Sequence, residues 1–342
     1  MSGLNPNLTE SWRAEVAGHA IDLAWSPDGE TLAVASIEGP VSIFSRSGVL
    51  LQELPGHRFG TCTISWNGDG SLLASAGQDG KSRVWEPHSG QERFAVEAGS
   101  AWVEHVAWSR VGPYLATGAG RKLNLWDADG GLVQAYPDQP GTITGLAWKP
   151  GQKELASASY GCLAIWSPEV REPLRSFSWK GAMLALAWSR DGRTIATGDQ
   201  DATVHLWDVR TGKDLMMWGY RTKVRELSWD ATGRYLATGG GPSATVWDCS
   251  GRGPEGSEPA ILGDPGETQI SAVAFRSSGP ILATADLSGR LRVWRLTGIR
   301  GDRLGKLNLE DEITQIAWHP SGRSLAAGTA IGTVVLVETP WL

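Results

Sequence analysis

One aromatic residue recurs at nearly constant spacing along the chain, and this periodicity limits what the chain can fold into. The aromatic ends a short segment that usually reads apolar-x-x-apolar, then Ala or Ser, then Trp. Its eight positions are Trp25, Trp66, Trp108, Trp148, Trp188, Trp229, Phe275 and Trp318. Consecutive positions are separated by 41, 42, 40, 40, 41, 46 and 43 residues. Such a period indicates one supersecondary unit repeated eight times, in which each unit buries its apolar faces against its neighbours.

Each copy continues with the same signals for short antiparallel strands. A turn follows the aromatic, as in the segments SPDG (26–29) and NGDG (67–70), where Pro restricts φ and Gly allows positive φ. A strand of small residues comes next, and after another turn a third strand usually ends in a large apolar residue. The residues at that third position are Phe44, Trp85, Trp126, Trp166, Trp207, Trp247, Trp294 and Val337. A polar turn and a fourth short strand complete the unit.

Four short strands every 40 to 46 residues is the spacing of β-propeller blades. The eight copies predict an all-β, eight-bladed β-propeller of four-stranded antiparallel blades, forming a single domain over residues 1–342. The eighth copy ends without room for a fourth strand, while residues 11–17 resemble the fourth strand of the first copy. We therefore expect the N-terminal segment to complete the last blade and cover its edge. Seven blades with a decorated end is the alternative.

The repeats resemble the WD-repeat family over about residues 11–339. Trp-Asp pairs occur at 126–127, 207–208 and 247–248, and Gly-His pairs at 18–19 and 56–57. In that family a His, a Ser or Thr, an Asp and a Trp form a structural hydrogen-bonded tetrad. The second copy carries all four, and the resemblance implies this role for His57, Ser75, Asp79 and Trp85. The fifth copy keeps Thr197, Asp201 and Trp207, but Trp179 stands where the His is expected.

The resemblance also implies a function and a surface for it. Members of the family commonly bind partners through the loops from fourth to first strand and from second to third strand. In this chain those loops contain residue types that dominate protein interfaces. We call them the partner-binding loops, and their candidate residues are Arg58, Phe59, Trp102, Tyr160, Trp179, Tyr220, Arg221 and Leu287. The prediction is a non-catalytic scaffold that binds other proteins.

A second group of polar residues supports an alternative function. These residues lie three and four positions before the aromatic of the first strand, close to where a propeller has its central channel. We call them the channel-mouth residues: Asp22, Glu104, His105, Arg225, Glu226 and Gln315. The alternative is a module that senses a small ligand or an ion there, although mutual ion pairing and solvation are sufficient to explain such a lining.

Composition and motifs argue against several other classes of protein. The net charge of −6 and the pI near 5.6 disfavour nucleic acid as a partner. The start carries no secretory signal and no apolar stretch reaches membrane-spanning length, which together predict a cytoplasmic protein without membrane association. His and Cys show no metal-ligand spacing and no nucleophile motif is present, so we expect no metal, no cofactor and no catalysis. The identity of the partner and the oligomeric state stay open.

Overall fold

A computed structural model describes residues 8–99, 102–251, 253–263, 268–298 and 300–339. Its contacts divide the chain into two compact units. The first unit is Val16–Trp188, and the second unit combines Met1–Glu15 with Ser189–Leu342. In the described part of each unit the regular elements are all β-strands. No helix there is long and apolar enough to cross a membrane.

The first unit contains fifteen of the described strands, which follow one another in antiparallel order. Their bounds are β2 (Ala20–Trp25), β3 (Thr31–Ser36), β4 (Val41–Ser45), β5 (Leu50–Leu54), β6 (Thr61–Trp66), β7 (Leu73–Gly77), β8 (Lys81–Glu86), β9 (Gln91–Glu97), β10 (Val103–Trp108), β11 (Leu115–Ala119), β12 (Lys122–Trp126), β13 (Leu132–Ala135), β14 (Ile143–Trp148), β15 (Leu155–Ser167) and β16 (Val170–Trp188). The first twelve form three four-stranded sheets in chain order, β2–β5, β6–β9 and β10–β13.

The second unit contains the N-terminal strand and the C-terminal strands. Their bounds are β1 (Thr9–Glu15), β17 (Thr194–Asp199), β18 (Val204–Asp208), β19 (Asp214–Met217), β20 (Leu227–Trp229), β21 (Tyr235–Thr238), β22 (Ala244–Asp248), β23 (Ala260–Leu262), β24 (Ile270–Phe275), β25 (Ile281–Asp286), β26 (Arg290–Thr297), β27 (Arg300–Asn308), β28 (Ile313–Trp318), β29 (Ser324–Thr329) and β30 (Thr333–Glu338). Strands β20–β23 and β24–β27 form two four-stranded sheets, and β28–β30 form a third with β1.

The sheet count corrects the prediction of eight four-stranded blades, which is wrong. The described strands form seven sheets, because β14 to β19 are assigned to one six-stranded sheet. With each sheet counted as one blade, the all-β propeller has seven blades. Two long strands cause this merging of repeats into one sheet. Strand β15 continues past Gly161, and β16 merges the fourth strand of one repeat with the first strand of the next.

The pairing between β15 and β16 shows why these two strands stay continuous. Tyr160 pairs with Ala182, and Cys162 pairs with Ser178, so the ladder resumes on both sides of Gly161. The second repeat has Asp79 in the equivalent turn, where its carboxylate accepts a hydrogen bond from the Lys81 amide at 3.2 Å. The fourth repeat has a shorter turn without that Asp, and it therefore lacks the side-chain hydrogen bond that ends a strand.

The N-terminal strand completes the last sheet, and this prediction is confirmed. Strand β1 pairs antiparallel with β30, from Thr9 opposite Glu338 to Glu15 opposite Thr333. The hydroxyl of Thr333 also donates a hydrogen bond to the Glu15 carboxylate at 3.1 Å. The strand begins and ends two residues earlier than the predicted 11–17. Its pairing covers an edge that would otherwise present free backbone donors and acceptors.

Indole rings at the ends of the first strands connect adjacent repeats within each unit. The Trp66 Nε1 donates a hydrogen bond to the Ala24 carbonyl of the preceding repeat at 3.0 Å. The same bond joins Trp148 to Ala107, Trp188 to Ala147 and Trp318 to Ala274, at 2.9 to 3.0 Å. Small residues such as Ala33 and Ala35 on the second strands are fully buried and let the next sheet approach closely. Each large ring thus fills the space between two sheets while its polar atom stays satisfied.

Candidate functional site

In the second repeat, four side chains form one continuous hydrogen-bonded network. The Trp85 Nε1 donates to the Ser75 hydroxyl at 2.9 Å, and that hydroxyl lies 2.8 Å from His57 Nε2. His57 Nδ1 lies 2.8 Å from an Asp79 carboxylate oxygen. A neutral His57 with its proton on Nδ1 satisfies every partner, because Ser75 can then donate to Nε2.

The electrostatics of this network agree with a neutral histidine beside a charged carboxylate. Burial lowers the pKa of His57 below its usual value, even though Asp79 acts in the opposite direction. Burial alone would raise the pKa of Asp79, but hydrogen bonds from His57 and Arg83 hold it below the usual value. His57 and Ser75 are both buried, so solvent does not reach this hydroxyl–imidazole–carboxylate chain from the Ser75 side. The arrangement ties strands and turns together.

The indole-to-hydroxyl bond recurs without the histidine in four other repeats. It joins Trp126 to Thr117 (2.9 Å), Trp166 to Ser157 (2.8 Å), Trp207 to Thr197 (3.1 Å) and Trp294 to Thr284 (3.0 Å). In the fourth repeat the buried Gln139 takes part, since its side-chain oxygen accepts a hydrogen bond from Ser157 at 3.2 Å. In the fifth repeat Asp201 accepts a hydrogen bond from Thr203 at 2.7 Å.

Tyr220 has a structural role that sequence reasoning missed. It is one of the candidate residues of the partner-binding loops, and its hydroxyl accepts a hydrogen bond from Trp247 Nε1 at 2.7 Å. The same hydroxyl lies 3.0 Å from Thr238 Oγ1. Burial raises the pKa of Tyr220 to about 12. Tyr220 thus supplies the polar centre of the sixth repeat, and the available signal was a tyrosine where the family pattern has a histidine.

The network of the second repeat holds the loop that carries Arg58 and Phe59. The carbonyl of His57 accepts a hydrogen bond from the Gly60 amide at 3.3 Å, which closes a turn around the two intervening residues. Phe59 has a φ of 75°, a backbone conformation that residues other than glycine rarely adopt. Its ring is 67% exposed, and the Arg58 guanidinium lies 4.9 Å from the ring centroid. A cation and an aromatic ring are therefore presented together to solvent.

Two more aromatic side chains of the first unit are exposed on partner-binding loops. Trp102 is 54% exposed, and Tyr160 is 59% exposed. Trp179 is only half-buried, and the Lys180 ammonium lies 5.7 Å from its ring centroid. These rings lie at the same end of the strands in their repeats as Phe59. Exposed aromatic rings beside cations are common at interface hot spots.

In the second unit, the partner-binding loops expose apolar and basic side chains. Arg221 is exposed, and its amide donates a hydrogen bond to the Gly240 carbonyl at 3.0 Å. Leu287 is exposed in the turn between β25 and β26. Sequence reasoning missed Ile331, which is 63% exposed in the corresponding turn between β29 and β30. Its signal was an aliphatic residue in the same turn of the repeat, one position after the equivalent of Leu287.

In the first unit, neighbouring residues donate hydrogen bonds to the channel-mouth residue Asp22. One carboxylate oxygen of Asp22 accepts hydrogen bonds from the Thr63 hydroxyl and the Ile64 amide, both at 2.9 Å. Burial raises the pKa of Asp22 and also that of Glu104. Burial lowers the pKa of His105 to about 4, which keeps its ring neutral near pH 7.

The channel-mouth residues of the second unit differ in exposure. Arg225 is exposed, whereas Glu226 and Gln315 are half-buried. Burial raises the pKa of Glu226. Across the described part of the chain, no group of three or more His, Cys, Asp or Glu side chains has the geometry to hold a metal ion. Ligand or ion sensing at these residues stays a prediction.

Comparison with known proteins connects these repeats to an established sequence family. The pattern described as WD domain, G-beta repeat, matches residues 48–86, 92–127, 171–208 and 260–295. This chain carries WD40 repeats. The matched segments include the third strand and its terminal Trp in four repeats, as the sequence resemblance predicted. WD40 repeats are a protein-binding family.

Curated relatives resemble part of this WD40 chain. It is 31% identical over 165 residues to the B-type cell cycle switch protein ccs52B of Medicago truncatula, covering 46% of this chain and 34% of the relative. It is 30% identical over 167 residues to Protein FIZZY-RELATED 2 of Arabidopsis thaliana, covering 46% and 35%. It is 31% identical over 170 residues to the WD repeat-containing protein slp1 of Schizosaccharomyces pombe, also covering 46% and 35%. The chain therefore spans about a third of the length of these relatives.

A solved structure resembles this WD40 chain over nearly its whole length. The crystal structure of the computationally designed Ika8 protein superposes with a TM-score of 0.81 at 22% identity. The match covers 95% of this chain and 97% of the designed one. At that identity the likeness concerns the fold alone.

Proposed function

We propose that this chain is a non-catalytic scaffold that binds partner proteins through its partner-binding loops. The observation that carries the proposal is the exposure of Phe59, Trp102 and Tyr160 on loops at the same end of their repeats. Large aromatic side chains have few rotatable bonds, so they lose little conformational entropy on binding while they bury a large area. This makes them effective anchors.

Rigid support of the loops favours this assignment further. The His57 network fixes the turn that presents Arg58 and Phe59, and the β15–β16 ladder fixes Tyr160 opposite Ala182. Loops that are already ordered lose less conformational entropy when a partner binds. Several relatives are named as cell cycle switch proteins or fizzy-related proteins, and regulation through protein contact is compatible with that resemblance.

The proposal includes a cytoplasmic location. Cys62, Cys162 and Cys249 are free thiols, as is usual in reducing compartments. Burial raises the pKa of Cys62 to about 11 and that of Cys249 to about 12, so both thiols are unreactive near neutral pH. Cell fractionation checks the location, and recovery with the secreted fraction would contradict it.

Quantitative affinity capture tests the binding loops. The triple variant Trp102→Ala, Tyr160→Ala, Arg221→Ala should capture at least tenfold less partner protein than the wild-type chain. The matched control is Val49→Ala with Leu132→Ala, since both residues are exposed apolar side chains outside the partner-binding loops. The control should capture the same partners as wild type. Unchanged capture by a folded triple variant would refute binding through these loops.

A further inference from the structure

Two turns in the second unit that carry arginines pack against each other outside the partner-binding loops. Arg276 begins the turn between β24 and β25, and Gly322 and Arg323 lie in the turn between β28 and β29. These turns are at the end of β25 opposite to Leu287, because β25 runs from Ile281 to Asp286. Whatever binds here therefore uses a different part of the repeat from the partner proposed above.

The Arg276 side chain is held in place by the protein itself. Its Nε donates a hydrogen bond to the Ser278 carbonyl at 2.7 Å, and its backbone amide donates to the Ile281 carbonyl at 2.9 Å. The aliphatic stem crosses Gly322 so closely that a methyl group there would lie 2.7 Å from Cδ. Within the described residues its two terminal nitrogens donate no hydrogen bond. The guanidinium is thus held in place while its two terminal nitrogens can still donate hydrogen bonds to a ligand.

The charge around Arg276 is not neutralised by the chain. In the described part of the second unit, no carboxylate forms an ion pair with Arg276, Arg295 or Arg323. Asp302 lies opposite Arg295 across the β26–β27 pair, and its carboxylate forms no ion pair with that guanidinium. Arg276 and Arg295 lie on either side of Ile281, since the Arg276 amide bonds to the Ile281 carbonyl and Arg295 pairs with Ile281. Burial and the positive charge of Arg295 lower the pKa of Arg276. Two guanidinium groups that form no ion pair within the described part of the chain gain free energy when a dianion lies between them.

We propose that Arg276 and Arg295, with exposed Arg323 at the rim, bind a phosphomonoester group on a partner protein. A phosphomonoester carries a charge of about −1.5 to −2 near pH 7 and offers three acceptor oxygens. It therefore matches two guanidinium forks better than a single carboxylate does. A phosphorylated side chain is favoured over a lipid headgroup because the family binds proteins.

Calorimetric titration with N-acetyl-O-phosphoserine amide tests the site, using the whole chain. Arg276→Gln and Arg295→Gln should each weaken binding at least tenfold, and Arg323→Gln by a smaller factor. The matched control is Arg193→Gln, because Arg193 is an exposed arginine in the corresponding turn of another repeat and pairs with Asp191 at 3.7 Å. That control should bind like wild type.

Further measurements separate the proposal from its alternatives. Arg295→Gln removes an exposed side chain, so its melting temperature should not fall, and loss of binding cannot be attributed to unfolding. Equal binding by wild type, Arg276→Gln and Arg295→Gln would overturn the proposal. Binding of N-acetylglutamate amide as tightly as the phosphoserine probe would overturn the preference for phosphate. Binding to phosphatidylcholine vesicles containing phosphatidylinositol 4-phosphate, without binding to the soluble probe, would assign the arginines to a lipid surface instead.

Discussion

The hydroxyl of Tyr220 accepts a hydrogen bond from the indole of Trp247 at 2.7 Å, which places a tyrosine at the polar centre of the sixth repeat. In the second repeat the corresponding indole, Trp85, reaches His57 only through Ser75. The Tyr220 hydroxyl and the Ser75 hydroxyl thus have the same role, which is to accept a hydrogen bond from an indole N–H between packed strands. A single atom of Tyr220 carries that role, so its removal is a direct test.

Tyr220→Phe should destabilise the chain by about 1–3 kcal/mol, because the part-buried Trp247 Nε1 would lose its acceptor. Urea denaturation followed by tryptophan fluorescence measures the change. Tyr160→Phe is the control, since Tyr160 is exposed and should change stability by less than about 0.5 kcal/mol. Similar effects of the two substitutions would contradict the role assigned to Tyr220.

Ser75→Ala should cost about 1–3 kcal/mol, because both the Trp85 Nε1 and the His57 Nε2 lose their partner inside the protein. The free energy of unfolding can be compared with that of Ser89→Ala, which removes an exposed hydroxyl with only long hydrogen bonds of 3.3 to 3.4 Å. A double-mutant cycle with His57→Ala should show strong coupling. Additive effects would mean that the two side chains act independently.

Trp66→Ala should cost about 3–5 kcal/mol, because the ring is buried between two sheets and its Nε1 bonds to Ala24. Thermal unfolding measures the loss. Trp102→Ala removes an equally large but exposed ring, and its melting temperature should stay within a few degrees of wild type. A large loss of stability in Trp102→Ala would show that this ring packs into the core instead of serving a partner.

Asp199 should make stability fall as the pH rises. Burial, together with the charge of Asp201, raises the pKa of Asp199 to about 7 in the folded chain, against 3.8 for an ordinary Asp. Between these two values the folded state binds the extra proton, so the stabilising contribution is complete below pH 4 and is lost as the pH approaches 7. The slope approaches about 1.4 kcal/mol per pH unit at most.

Asp199→Asn should remove this dependence and be more stable than wild type at pH 8. Unfolding free energies measured from pH 4 to pH 8 give the comparison, with exposed Asp191→Asn as the control. Burial lowers the pKa of neighbouring His205, which acts in the opposite direction, so the difference between wild type and variant is the relevant quantity. A difference independent of pH would show that Asp199 is already ionised at pH 4.

The repeats and their aromatic residues could be predicted from the sequence because they depend on local patterns. Strands need alternating small and large apolar residues, turns need Gly, Pro and Asp, and the ring at Trp66 or Trp85 follows in a fixed phase. The pairing of the N-terminal strand with the last sheet was also predictable, since a missing fourth strand and a matching segment were both visible. The tetrad candidates could be named because one repeat retained all four residue types.

The number of sheets, the role of Tyr220 and the arginine cluster were decided only by the tertiary structure. Tyr160 pairs with Ala182 twenty-two residues later, and no local pattern states whether a ladder stops or continues at a glycine. Arg276 meets Gly322 across two repeats, and the distance between their atoms depends on how the sheets pack. A repeated local pattern determines which strands form, because each depends on neighbours along the chain. Which side chains then meet depends on contacts between residues far apart in sequence, and those are set by packing.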